Sequence, residues 1–148
     1  GVAKESLQKQ MPKAFFLGYL EHEALATIYA SSDVFLFTSI SETYGNVVAE
    51  AMASGLPCVI ANGGGSAHFV QNGVNGFLCE PENSQEYTSY LQQVLDNDSL
   101  RNTFIMKGLA FTSKLKWEHL TASYFNDLEN LASLNKSQPI PSILDFSF

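Results

Sequence analysis

Four apolar runs, Ala14 to Leu17, Val34 to Thr38, Cys58 to Ala61 and Phe77 to Cys79, are short and continuous rather than alternating. Runs of this kind read as strands covered on both faces, the pattern of a parallel sheet. Helical patterns lie between them at Glu23 to Ala30, Asn46 to Ser54 and Ser66 to Gln71. Strand and helix therefore alternate, which predicts an α/β fold with right-handed crossovers. From Asn83 onward the pattern is helical only: Ser84 to Leu95, Asp98 to about Phe111, and Trp117 to Leu134. Residues 1–13 read as a polar helical piece ending at Pro12, with no apolar face of its own. Residues 135–148, with Pro139 and Pro141, lack helical periodicity and are expected to be a tail, disordered or packed on a domain outside this chain. One domain over 1–134 is the default.

In an open parallel sheet, ligands bind beyond the carboxyl ends of the strands, so the loops leaving each strand define the active edge. Three loops qualify: Gly18-Tyr19-Leu20, Ser39 to Gly45, and Asn62-Gly63-Gly64-Gly65. The glycines of Gly55-Leu56-Pro57 and Gly73-Val74-Asn75-Gly76 enter strands instead, and are expected to end helices and shape turns.

Between Glu42 and Glu80 there is one charged residue, Glu50, set in the apolar run Val47-Val48-Ala49-Glu50-Ala51-Met52-Ala53. A carboxylate buried there must be paired, hydrogen-bonded or held for a ligand. The helix starting near Asn46 leaves the amides of Gly45, Asn46 and Val47 as unpaired donors at its positive end, suited to a phosphate. Glu42 lies just outside that terminus and Glu50 one turn inside, so both can face one cleft. Carboxylates accept paired hydrogen bonds from vicinal diols, which points to an anionic sugar or sugar nucleotide. The plainer alternative makes Glu42 a solvated loop residue favoured by the helix dipole and Glu50 an ordinary exposed helix position. For Glu50, the apolar neighbours favour the ligand. Gly63 to Gly65 allow close backbone approach to a ligand, although a tight strand-to-helix turn explains them equally well, and Ser66 is placed to cap the following helix.

Composition narrows the classes. The chain has 148 residues, net charge −7 and 8 Lys and Arg, which argues against a nucleic-acid footprint or a polybasic membrane patch. No apolar run reaches the ~18 residues of a membrane span and no leader opens the sequence, so the expected location is cytoplasmic. Cys58 and Cys79 are expected as buried, reduced thiols. His22, His68 and His119 are scattered, so no metal site is expected. Trp117 is expected to anchor the last helix on the core. No nucleophile elbow or triad spacing occurs.

The segments Phe16 to Tyr19, Leu25 to Ser39, Glu42 to Pro57 and Gly64-Gly65 followed by Asn72 to Leu78 resemble the C-terminal nucleotide-binding domain of retaining GT-B glycosyltransferases, the glycosyl transferases group 1 type. The likeness runs from about Ala14 to about Trp117. Its most specific part is the glutamate pair with seven residues between, followed by Ala-Met-Ala-Ser-Gly-Leu-Pro.

The resemblance implies a truncated Rossmann-like domain, the C-terminal half of a GT-B fold, on which a hexose moves from a nucleoside diphosphate sugar with retention. It gives the catalytic place to Glu42, at the donor sugar. Glu50 would take the ribose, the Gly45-Asn46-Val47 amides the diphosphate or the sugar, and Gly18 and Tyr19 the base, with Gly64 and Gly65 at the same edge. It implies no metal or other cofactor, the donor being a substrate, and a saccharide or lipid acceptor bound by an N-terminal domain outside this chain. An isolated half should not turn over.

Two departures accompany it: the upstream basic pair of the family is missing, and His68 stands where relatives often carry Glu. The rival to the enzyme is a non-catalytic nucleotide- or protein-binding module with the same half-fold. A sugar-nucleotide epimerase fits the glutamate context poorly, and no lysine on the ligand edge suits a phosphorylase.

Overall fold

The computed structural model describes residues 4–135. The expectation for the tail therefore lies outside the described residues, apart from Asn135. Three short strands form a parallel sheet in the order β1 (Phe35–Phe37), β2 (Cys58–Ala61), β3 (Gly76–Cys79). The helices are α1 (Lys4–Gln10), α2 (His22–Ala30), α3 (Asn46–Ala53), α4 (Ser84–Asp96), α5 (Asp98–Thr112) and α6 (Trp117–Asn135). The expected parallel α/β unit is thus present, with β2 fully buried at its centre.

Two apolar layers hold the sheet. On one face Cys58 and Ile60 pack with Val48, Ala51 and Met52 of α3 and Tyr29 of α2. On the other, Val59, Ala61, Phe77 and Cys79 meet Tyr87 and Val94 of α4 and Phe104 of α5. The ladder pairs Cys58 with Gly76 and Ala61 with Cys79, setting the two cysteines three positions apart and on opposite faces. At about 3.3 Å per residue that exceeds disulfide reach. Both thiols are free and buried, and burial pushes Cys58 up to about 12 and, with Glu86 adding to it, Cys79 up to about 11.

Helix α3 ends at Gly55, whose φ is +79°. Its N–H donates to Met52 O at 3.1 Å and that of Leu56 to Ala51 O at 3.0 Å, the paired bonds of a Schellman turn. The glycine of Gly55-Leu56-Pro57 therefore terminates a helix, as its position before a strand suggests.

Three expectations fail. Ala14 to Leu17 forms no ladder, and Phe15 is 90% exposed, because a strand needs a neighbour to satisfy its backbone and none is adjacent among the described residues. The helix expected at Ser66 to Gln71 is a 3-10 helix over Gly65–Phe69. Trp117 does not anchor α6: it is 76% exposed, and Leu120, Tyr124 and Leu131 on the same helix are exposed too.

Candidate functional site

Helix α3 opens at Gly45, which takes a left-handed conformation with φ +79° and ψ 43° and supplies no side-chain cap. Among the described residues, the amides of Gly45, Asn46 and Val47 have no hydrogen-bond partner. They carry the partial positive charge of the helix end.

The loop leading into this terminus is clamped to the glycine loop that leaves β2. Gly65 N–H donates to Glu42 O at 2.7 Å, and the Tyr44 ring meets Phe69 edge-on at 5.2 Å. A Cβ on Gly65 would lie 2.0 Å from Thr43 O, and one on Gly64 2.6 Å from Ile40 O. The close backbone approach of these glycines is to the neighbouring loop. Ser66, fully buried beneath Gly45, does not cap: its hydroxyl has no partner, and Gly64 occupies the capping position of the 3-10 helix. The Glu42 side chain is exposed, with Ser39 Oγ 3.4 Å from its Oε1.

Glu50 departs from the buried setting inferred from its neighbours. Helix α3 buries Val48, Ala51 and Met52 along one side, and Glu50 falls on the other, exposed and with no ion pair among the described residues. A charge-poor stretch read in one dimension conceals that the helix has two sides.

On its open side Glu50 lines a cavity of about 420 Å³ with Tyr19, Leu20, Leu25, Tyr29 and Ser54. The structure therefore brings Tyr19 and Glu50 together, and sets the Glu42 loop and Gly64-Gly65 together at the mouth of α3. Glu42 and Gly18 are not among the cavity's lining residues. Its charged lining is acidic, Glu21 and Glu50, with neither Lys nor Arg, and α3 with its C-cap contributes Glu50, Ala53 and Ser54 from its C-terminal half, so the unpaired amides at the start of the helix lie outside the lining.

Tyr29 escaped the sequence reading, because an aromatic four residues after Leu25 looks like plain core. Burial, then the nearby Glu50, then Cys58 raise its phenol pKa, so it is a neutral hydrogen-bond donor at physiological pH. A larger polar depression of about 770 Å³ along α4 is lined by amides, hydroxyls and Asp96, with no cationic group. His68 lies in the 3-10 helix, and no three His, Cys, Asp or Glu converge as a metal site among the described residues. No described helix is long and apolar enough to cross a membrane.

A parallel sheet, a helix mouth clamped by a glycine loop and, further along the same helix, a cavity lined by Glu21 and Glu50 define an α/β domain with its polar features around α3. Comparison with known proteins makes this specific. The profile of the family described as glycosyl transferases group 1 matches residues 3–110, and the chain belongs to that family. It is 38% identical over 133 residues to the sulfoquinovosyl transferase SQD2 of Arabidopsis thaliana, covering 86% of this chain and 26% of that protein. Among solved structures it resembles Anabaena HepE in complex with UDP-glucose, at TM-score 0.71 and 27% identity over 88% of this chain and 36% of that one. It shares its fold with the C-terminal domain of a glycosyl transferase group 1 family protein from Francisella tularensis, at TM-score 0.68 and 24% identity over 77% of this chain and 63% of that one. The fold is thus that of a GT-B C-terminal domain. The chain spans about a quarter of SQD2 and about a third of HepE.

Proposed function

We propose that this chain is the donor side of a retaining glycosyltransferase, which moves a hexose from a nucleoside diphosphate sugar to a saccharide or lipid acceptor. The observation that carries it is the placing of Glu50 in a cavity with Tyr19, one turn inside a helix whose first amides are unpaired. A carboxylate accepts from a diol, the amides donate to an anion, and the cavity admits a base, which together make the chemistry of a nucleoside diphosphate. The similarity to a protein solved with UDP-glucose supports the same ligand class.

In this assignment Glu50 takes the ribose and the amides of Gly45, Asn46 and Val47 the diphosphate. Gly18 and Tyr19 flank the base. Glu42, exposed on its clamped loop, meets the donor sugar where the anomeric bond breaks, and Gly64 and Gly65 hold that loop in place. The departing diphosphate gains negative charge as the bond breaks, and the fixed amide dipoles stabilise it without reorganising. No metal or other cofactor is assigned a role. Acceptor recognition falls to residues beyond these 148, the reaction is placed in the cytoplasm, and this chain alone is not expected to turn over.

The test separates the two carboxylates in the full-length enzyme. Glu50→Gln should weaken nucleotide binding by about 1.5 to 3 kcal/mol, the range of a charge-assisted hydrogen bond. Glu42→Ala should lower turnover while leaving affinity for free nucleotide near that of the wild type. Unchanged nucleotide affinity in Glu50→Gln removes the ribose assignment. Tight binding of nucleoside diphosphates by the 148-residue chain, with no transfer by the full-length protein, would favour the non-catalytic module.

A further inference from the structure

Tyr29 combines three properties that a core aromatic does not need. The residue is 8% exposed and its ring is held edge-on against Phe35, with centroids 5.6 Å apart at 86°. Its residue lines the cavity that Glu50 lines. Its hydroxyl has no hydrogen-bond partner among the described residues, yet is not one of the sealed, orphaned polar atoms, which are those of Ser66 and Tyr87. A fixed ring thus carries a free donor to the surface of the cavity, within electrostatic reach of the Glu50 carboxylate.

We propose that Tyr29 is a ligand-binding residue of the donor site, its hydroxyl donating to a ribose hydroxyl whose own proton Glu50 accepts. This rests on the nucleotide assignment made above and extends it. A carboxylate can only accept, so Glu50 alone satisfies the protons of a diol and leaves the lone pairs of its oxygens open. A neutral phenol beside it supplies the missing donor. The pair is then matched to a ribose and mismatched to a sugar lacking those hydroxyls, because the loss would leave both polar groups of the protein without partners. Rigid anchoring by Phe35 means that little rotamer freedom is lost when the bond forms.

The test is titration of the full chain, wild type and Tyr29→Phe, with UDP and GDP and with their 2′,3′-dideoxy analogues, by calorimetry or NMR. Phenylalanine keeps the ring and its packing on Phe35, and thermal melting checks that the fold is unchanged. Expected is a loss of about 3- to 10-fold in affinity for the ribonucleotide that binds, the range of a single neutral hydrogen bond, with the dideoxy analogue bound equally by both proteins. Equal losses for both ligands, or a loss for neither, would overturn the role of Tyr29. If Glu50→Gln weakens the ribonucleotide while Tyr29→Phe does not, this inference fails and the nucleotide assignment stands. Saturable binding of no nucleotide to the wild type removes both.

Discussion

Gly65→Ala probes the contact on which the candidate site depends, the seam between the loop carrying Glu42 and the glycine loop after β2. Gly65 has no positive φ, so alanine meets no backbone penalty of its own there. Its Cβ would instead lie 2.0 Å from Thr43 O, 2.5 Å from Thr43 C and 2.8 Å from Tyr44 Cα. All three are backbone atoms, and no rotamer change relieves them. Restoring an ordinary contact of 3.4 Å requires the loops to part by about 1.4 Å, enough to break the 2.7 Å bond from Gly65 N–H to Glu42 O. Overpacking of this kind costs about 1 to 3 kcal/mol and the lost hydrogen bond about 0.5 to 1.5, for a total of about 1.5 to 4.5 kcal/mol. Urea unfolding at 25 °C followed by far-UV circular dichroism reads this directly. Gly73→Ala is the comparison: φ there is +73° but a Cβ meets nothing within 4 Å, so the cost is conformational alone, about 1 to 2 kcal/mol. A Gly65→Ala chain as stable as wild type would show that the loops are not in contact, and the description of the helix mouth would be wrong.

Ser66→Ala should be neutral or stabilising by up to about 1 kcal/mol, since it removes a buried hydroxyl without a partner; a marked destabilisation in the same unfolding assay would mean that the hydroxyl is bonded. Phe104→Ala, which empties a fully buried site packed edge-on against Phe77 at 5.0 Å, should cost about 3 to 5 kcal/mol, and a loss below 1 kcal/mol would place that helix elsewhere. The thiols predict a pH effect: their folded pKa values, about 12 for Cys58 and about 11 for Cys79, exceed the ordinary 9.0, so the fold favours the protonated form. Their contribution is flat below pH 9 and is lost as pH rises from 9 towards 12 for Cys58 and towards 11 for Cys79, by up to about 1.4 kcal/mol per pH unit for each thiol, as the unfolded state ionises first. Between pH 9 and 10.5 the Cys58→Ala chain should lose stability less steeply than wild type, and parallel curves would contradict the buried placement of Cys58.

The parallel sheet was legible because Cys58-Val59-Ile60-Ala61 is apolar at every position, short, and bounded by Gly55-Leu56-Pro57 and a glycine loop, as a strand covered on both faces is. The role of Gly55 was legible for a similar reason, since a glycine before Leu-Pro leaves a helix few other ways to end. What escaped depends on neighbours rather than on local pattern. Ala14 to Leu17 has the composition of a strand, but pairing is a property of two segments, and the described residues offer it no second one. Glu50 looked buried because its flanking residues are apolar, although a helix separates Val48 from Glu50 onto different sides. Ser66 fits a cap in sequence, yet the chain turns so tightly at Gly64 that its hydroxyl is driven beneath Gly45. Tyr29 is the converse case: its ring does belong to the core, and only the cavity geometry shows that its hydroxyl is free to do something else.

The central claim is that a nucleoside diphosphate sugar lies along the start of α3, with its ribose against Glu50. An amide NMR titration of the isotope-labelled chain with UDP-glucose, repeated with GDP-mannose, tests it most directly. The account predicts saturable shifts for one of them that cluster at Tyr19, Gly45, Asn46, Val47 and Glu50 and need about 10- to 150-fold more ligand in Glu50→Gln. Shifts gathered instead around Thr88 and Gln92 on α4, or the same shifts in Glu50→Gln as in wild type at the same ligand concentrations, would contradict it.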